Sequence, residues 1–118
     1  MPSVPRDHLP LKPVDLELLL ALAAEDRHGY ALVQAIAART GGLLELDAGN
    51  LYRVIKRLLS AGLVADAGGR EAADAGGERR RYYRITALGG RVLAAELARL
   101  RALLNAPATR NLARRWLP

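Results

Sequence analysis

The chain has 118 residues, enough for one modest core but short for an enzyme with a deep enclosed site. It contains no cysteine, which excludes disulfides, thiolate metal sites and a cysteine nucleophile. Lys and Arg number 18 against 12 Asp and Glu, and the resulting +6 charge suits a polyanionic partner, nucleic acid before membrane. No apolar run approaches the ~18 residues that cross a bilayer. The opening residues lack the basic-then-apolar order of a secretion signal, so a cytoplasmic location is expected and no membrane partner.

Residues 1–12 hold prolines at positions 2, 5 and 10 and predict an extended, largely disordered arm. Pro13 suits a first helical turn, and a leucine-dense helix follows over Val14–Glu25. Leu16, Leu19, Leu20 and Ala23 share one face, while Leu18 and Leu22 spread the apolar surface to a second. A helix apolar on two faces needs two partners, its own domain and a second subunit. His28-Gly29-Tyr30 opens a second helix that Thr40-Gly41-Gly42 stops. Leu43–Leu46 is a short apolar connector.

Asp47 is a capping residue for a third helix, Ala48–Ala61, and Gly62 stands where a left-handed C-terminal cap falls. Leu51, Ile55, Leu58 and Leu59 form its apolar stripe. The other face carries Asn50, Arg53 and Arg57, with Tyr52 and Lys56 beside them and no acid. After it, Leu63-Val64-Ala65 reads as a short strand, 66–79 as a glycine-rich loop, and Arg80–Thr86 as the returning strand. The loop repeats itself, Asp66-Ala67-Gly68-Gly69-Arg70-Glu71 and then Asp74-Ala75-Gly76-Gly77-Glu78-Arg79, with nothing to bury in either copy. Along the returning strand Tyr83 and Ile85 point inward and Tyr82 is left free.

Thr86 caps a final helix, Ala87–Asn105. Leu93, Leu97, Leu100 and Leu104 alternate steps of four and three, the spacing of a dimer seam, while Arg91, Glu96, Arg99 and Arg101 lie opposite. Past Pro107, Thr109–Leu117 fits one more short helix with Leu112 and Trp116 on one face. Trp116 is the one large flat ring that offers a stacking platform; plain packing is the other reading. The fold class is therefore mainly α (α+β): a winged helix-turn-helix over 13–86 with a two-stranded wing, followed by a dimerisation helix and tail over 87–118. Neither histidine has a catalytic or metal-ligand partner in sequence, His28 reading as a capping or packing residue. The glycine pairs lack phosphate-loop spacing, so no enzyme, metal or cofactor is expected.

His28-Gly29-Tyr30, Gly49-Asn50-Leu51-Tyr52 with Leu58 and Gly62-Leu63, and Arg80-Arg81-Tyr82-Tyr83-Arg84-Ile85-Thr86 with Gly89 resemble the PadR family of bacterial transcriptional regulators, in its smaller branch with a single short C-terminal helix. The resemblance covers about residues 11–105. It implies a winged-helix homodimer that binds double-stranded operator DNA, usually as a repressor. It also implies contacts from Tyr30, Gly49, Asn50, Tyr52, Arg53, Lys56 and Arg57, with Arg79, Arg80 and Arg81 at the wing. Asn50 stands where the family usually has a hydroxyl residue. Dimerisation would use Leu93, Leu97, Leu100 and Leu104 with Leu16 and Leu20 of the first helix, and a small aromatic or amphipathic effector would sit between subunits. Two other readings remain open, a winged module that docks a protein without binding DNA and a basic tail that lies on a membrane surface.

Overall fold

A computed structural model describes residues 4–71 and 79–118. The described residues form five α-helices, α1 (Pro13–Ala24), α2 (Gly29–Arg39), α3 (Ala48–Ser60), α4 (Ala87–Asn105) and α5 (Pro107–Trp116), and a small sheet of β1 (Arg27–His28), β2 (Val64–Glu71) and β3 (Arg79–Ile85). The sheet is antiparallel in the order β1-β3-β2. This is the winged-helix arrangement that the sequence predicts, with one strand more than expected. Among the described residues, no helix is long and apolar enough to cross a membrane.

α1 is the axis of the core. Its composition is apolar nearly all round, and Leu18 and Leu19 are wholly buried, with Leu22 almost so. Leu32 and Ile36 of α2, Leu51, Val54, Ile55 and Leu58 of α3, and Val92 and Leu93 of α4 close around it. Each fully buried leucine contributes about 1.5–3 kcal/mol by leaving water. Leu16 and Leu20 stay half-buried on the side of α1 that the protomer covers incompletely.

Local chemistry fixes the helix ends. Asp47 Oδ1 accepts the Asn50 N–H at 2.7 Å, and Thr86 Oγ1 accepts the Gly89 N–H at 2.9 Å, satisfying donors that have no partner inside the helix. Gly62 has φ +78°, and the N–H groups of Gly62 and Leu63 turn back to the carbonyls of Leu59 and Leu58, closing α3. Gly89 is needed for another reason. A Cβ there would lie 2.1 Å from the Leu63 carbonyl oxygen, so the first turn of α4 crosses directly over the α3–β2 junction.

Four expectations change. The arm is anchored rather than free: Pro5–His8 is a 3-10 turn, Leu9 and Leu11 rest on the core, and the Leu11 N–H donates to a carboxylate oxygen of Glu96 at 2.7 Å. Glu96 therefore faces inward, 1% exposed, and also accepts from Arg99. β2 runs on through Gly68, Gly69 and Arg70, so the first copy of the near-repeat is strand held by its ladder to Arg79–Tyr82, with a bulge between Asp66 and Gly68. Residues 72–78, with most of the second copy, lie outside the described residues. Finally, Tyr82 is not free: it packs edge-on against His28, ring centres 5.3 Å apart, beneath the Arg70 guanidinium at 3.9 Å.

Candidate nucleic-acid interface

The outward face of α3 is built in two parts. Asp47, having capped the helix, uses its second oxygen to accept the Asn50 side-chain amide at 3.2 Å; Asn50 Oδ1 in turn accepts from Arg53 at 2.7 Å. This chain lays the Arg53 guanidinium along the first turn and a half of the helix. One turn around, the Lys56 ammonium stands 5.4 Å from the centre of the Tyr52 ring. Gly49, Asn50, Tyr52, Arg53 and Lys56 are all exposed, and the first turn has no acid.

Arg57 departs from this group. Its two terminal nitrogens donate to both oxygens of Asp15 at 2.7 and 2.8 Å, and Asp15 is 4% exposed at the start of α1. The pairing raises the Arg57 pKa above its ordinary value, chiefly through the hydrogen bond to Asp15. Arg57, expected on DNA, thus also joins α3 to α1 through a bidentate pair.

The wing supplies the second basic surface, and its arginines divide in the same way. Arg81 pairs with Asp66 at 3.2 Å. The Gly68 N–H and then Arg81 hold the Asp66 carboxyl below its ordinary value. Arg70 and Arg84 both reach Asp26, at 3.1 and 3.0 Å. Arg79 donates to the Gly69 carbonyl, and Arg80 lies 5.3 Å over the ring of Tyr30. Arg79 and Arg80 have no acidic partner among the described residues and keep their charge available. Arg70, with its clamp on Tyr82 and Asp26, carried no signal in sequence beyond lying in a loop. The short strand β1 was equally silent, yet its pairing of His28 with Tyr82 sets α2 against the wing.

Tyr30, Tyr52, Arg80 and Arg81 converge on one groove of about 510 Å³ between the starts of α2 and α3 and strand β3. His28 caps α2 at its edge, its Nδ1 accepting the Ala31 N–H at 3.2 Å. Of the residues expected at a dimer seam, Leu93 belongs to the protomer's own core at 5% exposed. Heptad spacing alone does not separate a seam from a core stripe, and the first half of α4 lies on α1. Leu100 is half-buried, while Leu97 and Leu104 are 41% and 66% exposed. No cluster of three or more histidine or acidic side chains among the described residues could hold a metal ion.

Residues 18–95 match the model of the transcriptional regulator PadR-like family. An uncharacterised protein of Lysinibacillus sphaericus is 34% identical over 76 residues, 64% of this chain and 67% of its own length. Among solved structures, a PadR family transcription regulator of Clostridium difficile superposes with a TM-score of 0.66 at 22% identity, covering 91% of this chain and 100% of that one. PadR of Bacillus subtilis, solved in complex with operator DNA, does so with a TM-score of 0.61 at 17% identity, covering 75% of this chain and 48% of its own. These likenesses agree with the winged helix built above, and the match over 18–95 spans well over half of the sequence. The chain belongs to the PadR-like family of transcriptional regulators, DNA-binding proteins rather than enzymes.

Proposed function

We propose that the protein acts as a homodimeric repressor that binds operator DNA through α3 and the wing and is released by a small-molecule effector. The observation that carries this reading is the division of the cations. Among the described residues, Arg53 and Lys56 on α3 and Arg79 and Arg80 on the wing have no acidic partner, while Arg57 pairs with Asp15, Arg81 with Asp66, and Arg70 and Arg84 share Asp26. A helix of this width fits the major groove, and a hairpin beside it reaches the flanking backbone. Arg53, oriented by Asn50, is the candidate for a base edge; Tyr30, Tyr52 and Lys56 serve the phosphates. The winged domain is assigned to 13–86 and dimerisation to 87–118, with the apolar ends of α4 and α5 meeting a second copy.

The test is binding of the purified protein to the intergenic DNA beside its own gene, followed by anisotropy at several salt concentrations. A preference of about 10³-fold or more for a two-fold symmetric site over random duplex is expected. Equal affinity for both, or a salt-independent association, would refute the reading.

A further inference from the structure

We infer that Asp26 is a positioning residue for DNA binding: it holds Arg70 of β2 and Arg84 of β3 on one carboxylate, which fixes the wing against the body and leaves Arg80 turned toward α2 to meet phosphate. The inference rests on the reading of α3 and the wing as the DNA surface. Asp26 lies between the end of α1 and β1, so its backbone continues the axis of the core. The wing itself is a two-stranded ribbon, and a ribbon of two strands holds its shape poorly alone. Among the described residues, the third strand that supports it is β1, whose two residues pair Arg27 with Tyr83 and His28 with Tyr82. Asp26 adds a tie from the body to both strands at once.

Along β3, Arg80, Tyr82 and Arg84 share one face, and Arg70 stands on β2 directly across from Arg80. Two like charges in opposite register repel. Asp26 separates them. Its Oδ2 accepts from Arg84 at 3.0 Å and from Arg70 at 3.1 Å, and the Arg70 guanidinium covers the Tyr82 ring at 3.9 Å. Arg80 is left to the other side and lies 5.3 Å over the ring of Tyr30, at the start of α2. Tyr82 passes the constraint on through its edge contact with His28, the residue that caps α2. One carboxylate against two guanidiniums leaves the cluster positive. By charge alone, an acid beside a polyanion weakens binding. By geometry, Asp26 strengthens it, so the two effects carry opposite signs. Glu25, its neighbour in sequence, supplies the comparison. Its partner is Arg27 at 3.5 Å, and Arg27 is held besides by a hydrogen bond from its Nε to the Ala21 carbonyl.

The experiment compares Asp26→Asn with Glu25→Gln in the full chain, each removing one negative charge, by anisotropy on operator and random duplexes across a range of salt. Asp26→Asn is expected to lower affinity for both duplexes about threefold or more and to reduce the salt slope by up to about 1, the loss of one phosphate contact. Glu25→Gln should leave affinity equal or raise it. Arg70→Lys keeps the charge but cannot lie flat on Tyr82 while reaching Asp26, so it should lower affinity as Asp26→Asn does. Without DNA, Asp26→Asn should quicken amide exchange in β1 and β3 and leave α3 as protected as in the wild type. Affinity that Asp26→Asn leaves unchanged or raises overturns the inference, as does an equal loss from Glu25→Gln. Should Asp26→Asn fail to melt cooperatively, wild-type affinity in Arg70→Lys overturns it. A wild-type protein that binds neither duplex overturns the DNA reading and the positioning role with it, while quickened exchange in Asp26→Asn then shows the clamp itself standing.

Discussion

Arg57 grips both oxygens of Asp15 across the contact between α3 and α1, so a residue in the basic row of α3 is spent on holding that helix in place. The Asp15 carboxylate is nearly inaccessible to water, and removing Arg57 would leave it buried and unpaired. Arg57→Ala should cost on the order of 2 kcal/mol in urea unfolding. At temperatures where the variant stays folded, the ratio of operator to random-DNA affinity should be that of the wild type. Loss of that ratio without loss of stability would return Arg57 to the DNA.

Gly89 and Gly90 should behave oppositely. A Cβ at Gly89 meets the Leu63 carbonyl, which is backbone and cannot swing aside, whereas at Gly90 nothing lies within 4 Å. Gly89→Ala should destabilise by about 1–3 kcal/mol as an overpacked contact. Gly90→Ala should stabilise by up to about 1 kcal/mol through helix propensity. Thermal melts of the two variants side by side decide the matter.

What the sequence made legible was local. Asp47 and Thr86 each cap through an N–H three residues on, and Gly62 ends α3 within its own turn, so those boundaries could be read from adjacent residues. The ion pair of Arg57 and the inward turn of Glu96 are not legible because their partners lie 42 and 85 residues away, and a charged residue on a helix is by default a solvated one. β1 is two residues long and has no period to detect. Leu93 shows the same limit from the apolar side: its spacing fits the row of Leu97, Leu100 and Leu104, and only the packing of α4 on α1 separates it from them.

Glu96 makes stability sensitive to acid. Its carboxyl is held below the ordinary value, first by the hydrogen bond from Arg99 and then by the Leu11 N–H, against burial that pushes the other way. The folded state thus binds this proton less readily than the unfolded chain. The contribution is complete above the ordinary carboxylate range and is lost as the pH falls through the depressed folded value. Glu96→Gln should lower stability at neutral pH by about 1–3 kcal/mol. It should also flatten the decline in stability between about pH 6 and about pH 3. An acid limb that the Glu96→Gln substitution leaves unchanged would show that other carboxylates govern it.

The far end of α4 and all of α5 bury little within one protomer. Leu104, Leu112 and Trp116 are 66%, 57% and 70% exposed, and no residue of α5 is buried. Burying such a surface between two copies is favourable and would also link two DNA half-sites. Leu97→Asp with Leu104→Asp should give a folded monomer by sedimentation at micromolar concentration, with operator affinity reduced at least about tenfold. A wild-type protein that is already monomeric there would exclude the dimer.

Arg53 and the wing arginines should fail differently. Arg53 is oriented before binding by Asn50, itself tied to Asp47, so its fork is held close to the geometry that a base edge requires. Arg79 and Arg80 sit where β3 begins; one rests on a backbone carbonyl and the other on a tyrosine ring, contacts suited to a charge that follows phosphates. A phosphate contact carries no sequence information and releases counterions, changing the slope of log affinity against log salt by about 0.9 per phosphate. A bidentate base contact contributes about 1–3 kcal/mol of discrimination instead. Arg79→Ala with Arg80→Ala should therefore weaken operator and random DNA alike and reduce the salt slope by about 2. Arg53→Ala should narrow the gap between operator and random DNA about tenfold or more while changing the slope by less than about 1. If both variants lose affinity equally for the two DNAs with the same change in slope, the wing and the helix share one role, and Arg53 reads no base.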